Sequence, residues 1–526
     1  MSAIYHLPPQ TQVSQALQRR MQARLSTWSD DRVFGYLADT LYTERRRIEE
    51  EENSDTHPSY LRAIQTASKA IQGNRDDMCT ALLELVRVYS AEIHNNFSER
   101  TYRIASKVLP SALSRLLTAS NPTQLFGADF DPGAKIIVQG PTQKLKSLSK
   151  SHTLIYTPTH LSNLDSPLIG YALAQLSLPP VIYGAGLNLF SNPLMSFFMS
   201  RLGAYTVDRR KKNYLYKDVL KDYAIESTKR RCHSLFFPGG TRCRSGRLET
   251  HLKKGLLGTG IEAWQEGLEA NEDLEVLFVP CTLSFALTLE AETLIDDHLA
   301  DEGKSRYIIT DDEFSEARTL ASFAKNILNL DSSVYIRFGE PLDVTGNFVN
   351  DTGQSLDPKG NIVDRKSYIC NRYGGVQRDI QRDRIYTERL AHQISQAYYR
   401  DNIALSTHVT AFAAWSLLSH MYPRLSDVQK SMLTHEERRI PRRLLLQAID
   451  RLQSQIRSKA KQGLICHNLS KNPAEILHSA LNTFRRFHRT HVLAARGDDI
   501  EIGTKLALYY SNRLRGYGFS AMGEAQ

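Results

Sequence analysis

Apolar positions along the chain fall into three regimes. From residue 11 to about 120 they recur at helical spacing, as in MCTALLELVRVYSAEI and RIASKVLPSALSRLL, which predicts packed amphipathic helices. The charged run ERRRIEEEEN (44–53) reads as the solvated face of one of them, with ion pairs four residues apart. From about 130 to 345 the pattern changes to short apolar runs rich in β-branched and aromatic residues: KIIVQ, TLIYT, VIYGAG, AYTVD, SLFFP, EVLFVPCTLS and SVYIRFG. Each predicts a strand, and the amphipathic stretches between them predict helices. SNPLMSFFMSRLG is a compact helix unit, with Ser191 or Asn192 as cap, Pro193 in the first turn and Gly203 just past the end. This alternation predicts an α/β domain with a parallel or mixed central sheet, flanked by helical regions on either side in sequence. Residues 346–375 are rich in Gly, Asn and Asp and read as a long loop or linker. Helical spacing returns from about 380 to 515, as in RRLLLQAIDRLQSQIRSKA, and the last residues read as frayed. The expected boundaries are 1–125 (helical), 126–345 (α/β), 346–379 (linker) and 380–526 (helical), with no internal repeat.

Composition narrows the partners. With 41% hydrophobic residues in 526, a sizeable core is available. A net charge of +9 favours an anionic partner, if the cations cluster. Six cysteines, at 79, 232, 243, 281, 370 and 466, have no C-x-x-C spacing, so neither a zinc site nor a disulfide framework is expected. A reducing compartment is the simpler expectation. The first residues lack the basic start and apolar run of a secretory signal, and no stretch reaches the 18 or so consecutive apolar residues of a spanning helix.

Candidate chemistry begins at TPTHLSNLDSPL. His160 stands in the loop after a predicted buried strand, and Asp165 falls at the predicted N-cap of the next helix, with Pro167 in its first turn. Loops at the carboxyl ends of strands are where active-site groups are held. A neutral imidazole can take a proton from an alcohol through one ring nitrogen while a carboxylate orients the other. One Asp165 oxygen could cap the helix while the second holds the ring, so an ordinary cap and a catalytic pair are compatible. Gly-x-Ser-x-Gly is absent, so no serine nucleophile is implied.

Three further blocks follow. SLFFPGGTRCRSGRL leaves a strand through two glycines and then presents Arg242, Arg244 and Arg247. Such a turn can hold an anion through backbone N–H groups and guanidinium forks; it can equally be a solvated basic hairpin. It lacks the spacing of a nucleotide-binding loop. YGAGLNLF lacks the third glycine of a dinucleotide fingerprint, and DRRKK at a strand exit adds four cations. EVLFVPCTLSF carries Pro280 within a strand, which marks a bulge or an edge or, on the simpler reading, a plain core strand with an irregularity.

Taken in order, these blocks resemble the glycerol-3-phosphate and lysophosphatidate acyltransferases. Those enzymes have H-x4-D, then a G-x-N-L-type block, an F-x-E-G-x-R-S-R-type block and a proline-bearing strand. Here the similar segments are His160–Asp165, Gly186–Leu189, Phe237–Arg247 and Val279–Phe285, within residues 150–345. LGAYTVDRR, ending in Arg209 and Arg210, is similar to the glycerol-3-phosphate enzymes in particular. So is the helical tail, with HVTAFAAWSLLS and the feature at Tyr509, Tyr510 and Asn512. The resemblance implies acyl transfer from acyl-CoA or acyl-carrier protein to the sn-1 hydroxyl of glycerol 3-phosphate, giving lysophosphatidate, with no metal or bound cofactor. His160 would be the general base and Asp165 its orienter. Arg209, Arg210, Arg242, Arg244 and Arg247 would serve the acceptor phosphate, with Gly240 and Thr241 in the same turn. Gly186 and Asn188 would shape the acceptor pocket and Pro280 the acyl side. One departure stands out: Gly239 occupies the place where the family usually has glutamate, which bears on the acceptor's identity. Cys243 replaces the commoner serine, a poorer donor.

A lipid product and no spanning helix predict peripheral binding at the cytoplasmic face of a membrane, through basic and apolar elements that favour anionic lipids. NPLMSFFMSRL, with Phe197 and Phe198, is a candidate docking helix or a core helix. No nucleic-acid partner is expected. The alternatives are transfer to lysophosphatidate or dihydroxyacetone phosphate, and a non-catalytic basic membrane-binding protein.

Overall fold

The computed structural model describes residues 10–50, 58–102, 136–187, 201–302, 334–485 and 488–522. Four N-terminal helices come first: α1 (Gln10–Thr27), α2 (Asp30–Glu50), α3 (Pro58–Ala70) and α4 (Arg75–Ile93). The start of α4 is fixed by a capping box, in which the Asn74 side chain accepts from the Asp77 N–H while Asp77 reaches back. Leu17, Met21, Leu37, Leu82, Leu85 and Tyr89 face inward and share a core with Tyr205, Val219 and Tyr223 of the α/β domain. The helical region is therefore packed onto the sheet domain rather than tethered beside it.

The central sheet is mixed. Its strands are β1 (Ile136–Gln139), β2 (Thr153–Pro158), β3 (Ile182–Gly186), β4 (Ala204–Val207), β5 (Ser234–Leu235), β6 (Val276–Phe285), β7 (Val334–Phe338) and β8 (Leu342–Asp343). They lie in the order β1-β7-β6-β2-β5-β3-β4, with β8 against β6. The run from β6 to β4 is parallel, whereas β7 is antiparallel to β6 and parallel to β1. Helices α5 (Thr142–Leu148), α6 (Asp165–Gln175), α7 (Tyr214–Lys229), α8 (Lys254–Glu269) and α9 (Ala291–Glu302) connect and cover the strands. All ten residues of β6 are buried, which explains its unbroken apolar run. Every run expected to form a strand does so, although SLFFP contributes only Ser234 and Leu235.

Pro280 marks neither an edge nor a bulge. It pairs in continuous register with Thr157 of the central β2. On its other side, β6 changes partner from β8 at Leu277 and Phe278 to β7 from Cys281 onward. The proline falls in that gap, where a missing N–H leaves no ladder bond unmade.

Residues 346–379 are an ordered series of turns, and they contain the repeat that the sequence reading missed. Asp343, Asn350, Asp357 and Asn371 each accept, through Oδ1, the N–H groups two and four residues onward. Three residues after each stands a glycine with positive φ: Gly346, Gly353, Gly360 and Gly374. The unit repeats every seven residues, interrupted at Asp364, where a short 3-10 helix intervenes.

The C-terminal region contains α10 (Ile380–Asp401), α11 (Ser406–Met421), α12 (Arg442–Lys461), α13 (Pro473–Phe484) and α14 (Thr504–Asn512). It also forms two small sheets: β9 (Ile403–Ala404) with β11 (Cys466–His467), and β13 (Asp499–Ile502) between β10 (Arg439–Pro441) and β12 (Leu493–Arg496). Helix α10 packs on α8 and β6, and α14 packs on α9 and α11.

Candidate active site

Because β2, β5, β3 and β4 are parallel, their carboxyl ends open on one edge of the sheet. His160 follows β2 at that edge. Its Nδ1 lies 2.9 Å from Asp165 Oδ2. The same oxygen accepts the Leu161 N–H at 2.6 Å and the Ser162 N–H at 2.9 Å. Asp165 is therefore not the helix cap: it is the first residue of α6, Leu164 is the cap residue, and no side chain caps the helix. A single carboxylate oxygen ties the loop to the imidazole. Its Oδ1 is buried without a hydrogen-bond partner, in a side chain with no solvent exposure. An ionised Asp165 accepts from the ring, so Nδ1 carries the proton and Nε2 presents a lone pair. The ring stacks on Phe237, with centroids 4.0 Å apart and planes inclined at 22°. It keeps 13% exposure, so the ring is held on two sides and open on a third.

The segment after β5 wraps this histidine. Phe236 N–H donates to Tyr156 O at 3.2 Å, the last backbone bond to β2 before the chain turns at Pro238 toward the site. Cys243 N–H then donates to His160 O at 2.7 Å. Gly240 and Gly246 sit at φ +82° and +76°, the left-handed turns that this loop needs. The Cys243 thiol donates to Arg247 O at 3.1 Å, so the serine replacement keeps a polar contact, and burial pushes its pKa up.

Two carboxylates that the sequence reading did not single out hold the loops. Glu290, just past β6, accepts the Ser162 hydroxyl at 2.9 Å and the Asn163 N–H at 2.9 Å. The Arg242 guanidinium is 3.6 Å from the same carboxylate. Burial raises the Glu290 pKa despite these partners. Glu249 accepts the His160 backbone N–H at 2.9 Å. Neither had a local signal, because the contacts bridge 128 and 89 positions.

The remaining candidates divide by distance. His160, Asp165, Gly240, Thr241, Arg242, Arg244 and Arg247 share the two adjacent loops after β2 and β5. Arg244 pairs with Asp301 of α9 at 2.6 Å. Gly186 ends β3, with nothing within 4 Å of where a Cβ would stand. Arg209 and Arg210 follow β4, three strands from β2. At about 4.8 Å per strand, that places their turn roughly 14 Å away along the same edge. Arg210 Nε and Nη2 donate to Asp208 at 3.0 and 3.1 Å. Burial alone would raise the Asp208 pKa, but those bonds and the Arg210 charge hold it below its ordinary value. Pro280 lies buried within the sheet, three positions behind His160 in register. Asn188, with most of the expected docking helix including Phe197 and Phe198, lies outside the described residues.

Lys211, one of the four cations of DRRKK, does not face solvent. It is 5% exposed, and its Nζ sits over the rings of Tyr60, Tyr89 and Tyr216 at 4.4, 4.9 and 5.3 Å. It also pairs with Glu92 of α4. The N-terminal helices thereby grip the turn that carries Arg209 and Arg210. The C-terminal helices grip the other basic turn: Asn512 Nδ2 donates to Ser245 O at 2.7 Å, and an added Cβ on Gly246 would stand 2.4 Å from Tyr509 O. Among the described residues, no group of three or more His, Cys, Asp or Glu could hold a metal ion, and no helix is long and apolar enough to cross a membrane.

Comparison with known proteins centres on the same segment. Residues 135–284 match the family model described as Acyltransferase. The chain is similar to the glycerol-3-phosphate acyltransferase of Haemophilus ducreyi, 29% identical over 254 residues, which cover 48% of this chain and 27% of that protein. It is 26% identical over 296 residues to the glycerol-3-phosphate acyltransferase of Pseudoalteromonas translucida, covering 56% of this chain and 32% of that one. The match thus spans about a third of these relatives' length or less. The crystal structure of the 1-acyl-sn-glycerophosphate (LPA) acyltransferase of Thermotoga maritima aligns with a TM-score of 0.24 and 15% identity, covering 59% of this chain and 86% of that one.

Proposed function

We propose, from the premise that residues 135–284 are a domain of the acyltransferase family, that this chain moves a fatty acyl group from a thioester donor to the sn-1 hydroxyl of glycerol 3-phosphate. The observation that carries the reading is the 2.9 Å contact between His160 Nδ1 and Asp165 Oδ2 beside a turn of arginines. It supplies a base with a fixed tautomer next to a cluster suited to a phosphate.

The acceptor's phosphate is held by the cations at the sheet edge, with Arg242, Arg244 and Arg247 on the near turn and Arg209 and Arg210 on the far one. Its hydroxyl then faces His160 Nε2, which takes the proton as the oxygen attacks the thioester carbonyl. The carbonyl π electrons move onto oxygen. On collapse the C–S bond breaks, and the leaving thiolate receives the proton from the imidazolium. The products are lysophosphatidate and a free thiol, and no covalent acyl-enzyme is formed. Asp165 stabilises the imidazolium without itself being protonated.

The donor is acyl-CoA or acyl-carrier protein. The protein works at the cytoplasmic surface of a membrane, where its net charge of +9 favours anionic lipid headgroups. The test is a thiol-release assay on the purified chain with glycerol 3-phosphate, lysophosphatidate and dihydroxyacetone phosphate as acceptors. The reading expects glycerol 3-phosphate to give the highest kcat/KM, and His160→Ala to lower it by at least ~10²-fold. Preference for another acceptor reassigns the substrate, and full activity of His160→Ala overturns the mechanism. Sedimentation with anionic vesicles, weakened by high salt, tests the surface attachment; salt-insensitive binding counts against it.

A further inference from the structure

The His160 peptide unit is held from both ends by one segment. Its C=O accepts from Cys243 N–H at 2.7 Å, and its N–H donates to Glu249 Oε1 at 2.9 Å. A backbone N–H bonded to a carboxylate is a strong, directional anchor. Glu249 is itself tethered: its carbonyl accepts from Ser395 of α10 at 3.0 Å, and the segment is pinned to the loop's start by Lys253 N–H on Pro238 O at 2.8 Å. Its Oε2 is buried and has no hydrogen-bond partner. Burial pushes the carboxyl up to about 7, so the group is held here against its own solvation.

The space that this carboxylate fills belongs to Gly239. A Cβ on Gly239 would stand 2.9 Å from Glu249 Oε1 and 3.3 Å from its Cγ. Gly239 has an ordinary backbone conformation, so nothing but this neighbour demands a glycine there.

We propose that Gly239 and Glu249 form one exchangeable unit: Glu249 is a positioning residue for His160, and its carboxylate delivers from ten residues downstream what a side chain at 239 would otherwise supply. The bare α-carbon at 239 is the room it needs. Glu249 acts through the His160 backbone and does not touch the reacting atoms. The idea rests on the acyl-transfer reading for its kinetic consequence, but the backbone bond stands apart from it.

The test is a four-variant cycle in the full chain: Glu249→Gln, Glu249→Ala, Gly239→Glu, and Gly239→Glu with Glu249→Ala. Glu249→Gln keeps an acceptor oxygen and should retain kcat within about threefold. Glu249→Ala should lose about 10- to 100-fold in kcat, the scale of a small misplacement of a catalytic group, with acceptor KM changed less than twofold. Gly239→Glu alone crowds a second carboxylate onto the first and should lose activity as well. The double variant should recover at least tenfold over Glu249→Ala. Independent, multiplying losses, or an unaffected Glu249→Ala, overturn the proposal. Amide hydrogen exchange at His160 gives the second readout: protection should be kept in wild type and Glu249→Gln, and lost in Glu249→Ala. If the wild type transfers no acyl group, the functional reading fails alone, and the exchange data still decide the Glu249 bond. Unchanged protection in Glu249→Ala overturns that bond whatever the kinetics.

Discussion

Asp165→Asn tests the proposed chemistry where the structure concentrates it. One oxygen receives three donors, at 2.9 Å from His160 Nδ1, 2.6 Å from Leu161 and 2.9 Å from Ser162. A hydrogen bond to a charged group contributes about 1.5–3 kcal/mol net and a neutral one about 0.5–1.5, so three exchanged acceptors lose about 3 kcal/mol together. Removing a buried charge whose other oxygen has no partner offsets part of this, leaving a net destabilisation of roughly 1–2 kcal/mol. The activity change is larger. The amide oxygen keeps the three donors, because an NH2 in that place would meet the Leu161 and Ser162 N–H groups, so Nδ1 still carries the proton and the imidazolium loses only its counter-charge. kcat should fall at least ~10²-fold, the scale of impaired general-base catalysis. The assay is steady-state kcat and acceptor KM at one pH, paired with urea melts of the same samples. Because the pair acts as a unit, Asp165→Asn added to His160→Ala should lower activity no further than His160→Ala alone. A folded Asp165→Asn within about tenfold of wild type, or losses that multiply, would refute the reasoning.

Other outcomes follow from the props around the site. Lys211→Met removes the ammonium from its tyrosine cage, worth about 2 kcal/mol when desolvated, and frees the Arg209–Arg210 turn. Acceptor KM should rise severalfold with little change in kcat, and an unchanged KM would show that this turn does not serve the phosphate. Gly246→Ala places a Cβ against Tyr509 O at a residue with φ +76°. A loss of about 2–4 kcal/mol in a urea melt is expected, and a loss under 0.5 would mean that the clamp yields freely. Glu249 gives a pH signature. Burial raises its carboxyl from 4.5 to about 7, against the pull of the His160 N–H and Arg513 and with a small push from Asp165. A raised carboxyl favours folding below its unfolded pKa, and that contribution is lost as pH rises through 7. The stability of Glu249→Gln relative to wild type should therefore increase between pH 5 and 8, by at most about 3 kcal/mol, in melts across that range. A pH-independent difference would place the wild-type carboxyl at an ordinary pKa.

The centre of the sheet was legible because β2 and β6 are buried on both faces and so read as unbroken apolar runs between turn signals. The truncated β5 was not, because Phe236 and Phe237 are apolar for another reason: one makes the last backbone bond to β2 before the turn at Pro238, and the other stacks on His160. His160 and Asp165 were legible because both lie within five residues on one loop. Glu249, Glu290 and the caged Lys211 were not, since a lone charged residue has no periodicity and each earns its role through a partner remote in sequence. The seven-residue turns were readable in principle from Asp or Asn followed by Gly at three. Turn residues without apolar spacing suggest a linker, whereas here side-chain acceptors and single antiparallel bridges together order each turn.

The bond from Asn512 to Ser245 joins positions 267 residues apart. On a ribosome adding about 5–20 residues per second, that interval lasts tens of seconds. From Arg247 onward the nascent chain contains the imidazole, its acid and all five arginines, yet the near turn lacks its contacts with α14. The turn is completed only with translation of α14, so a shortened message or early release would yield a chain that holds His160, Asp165 and the arginines with the near turn unfinished.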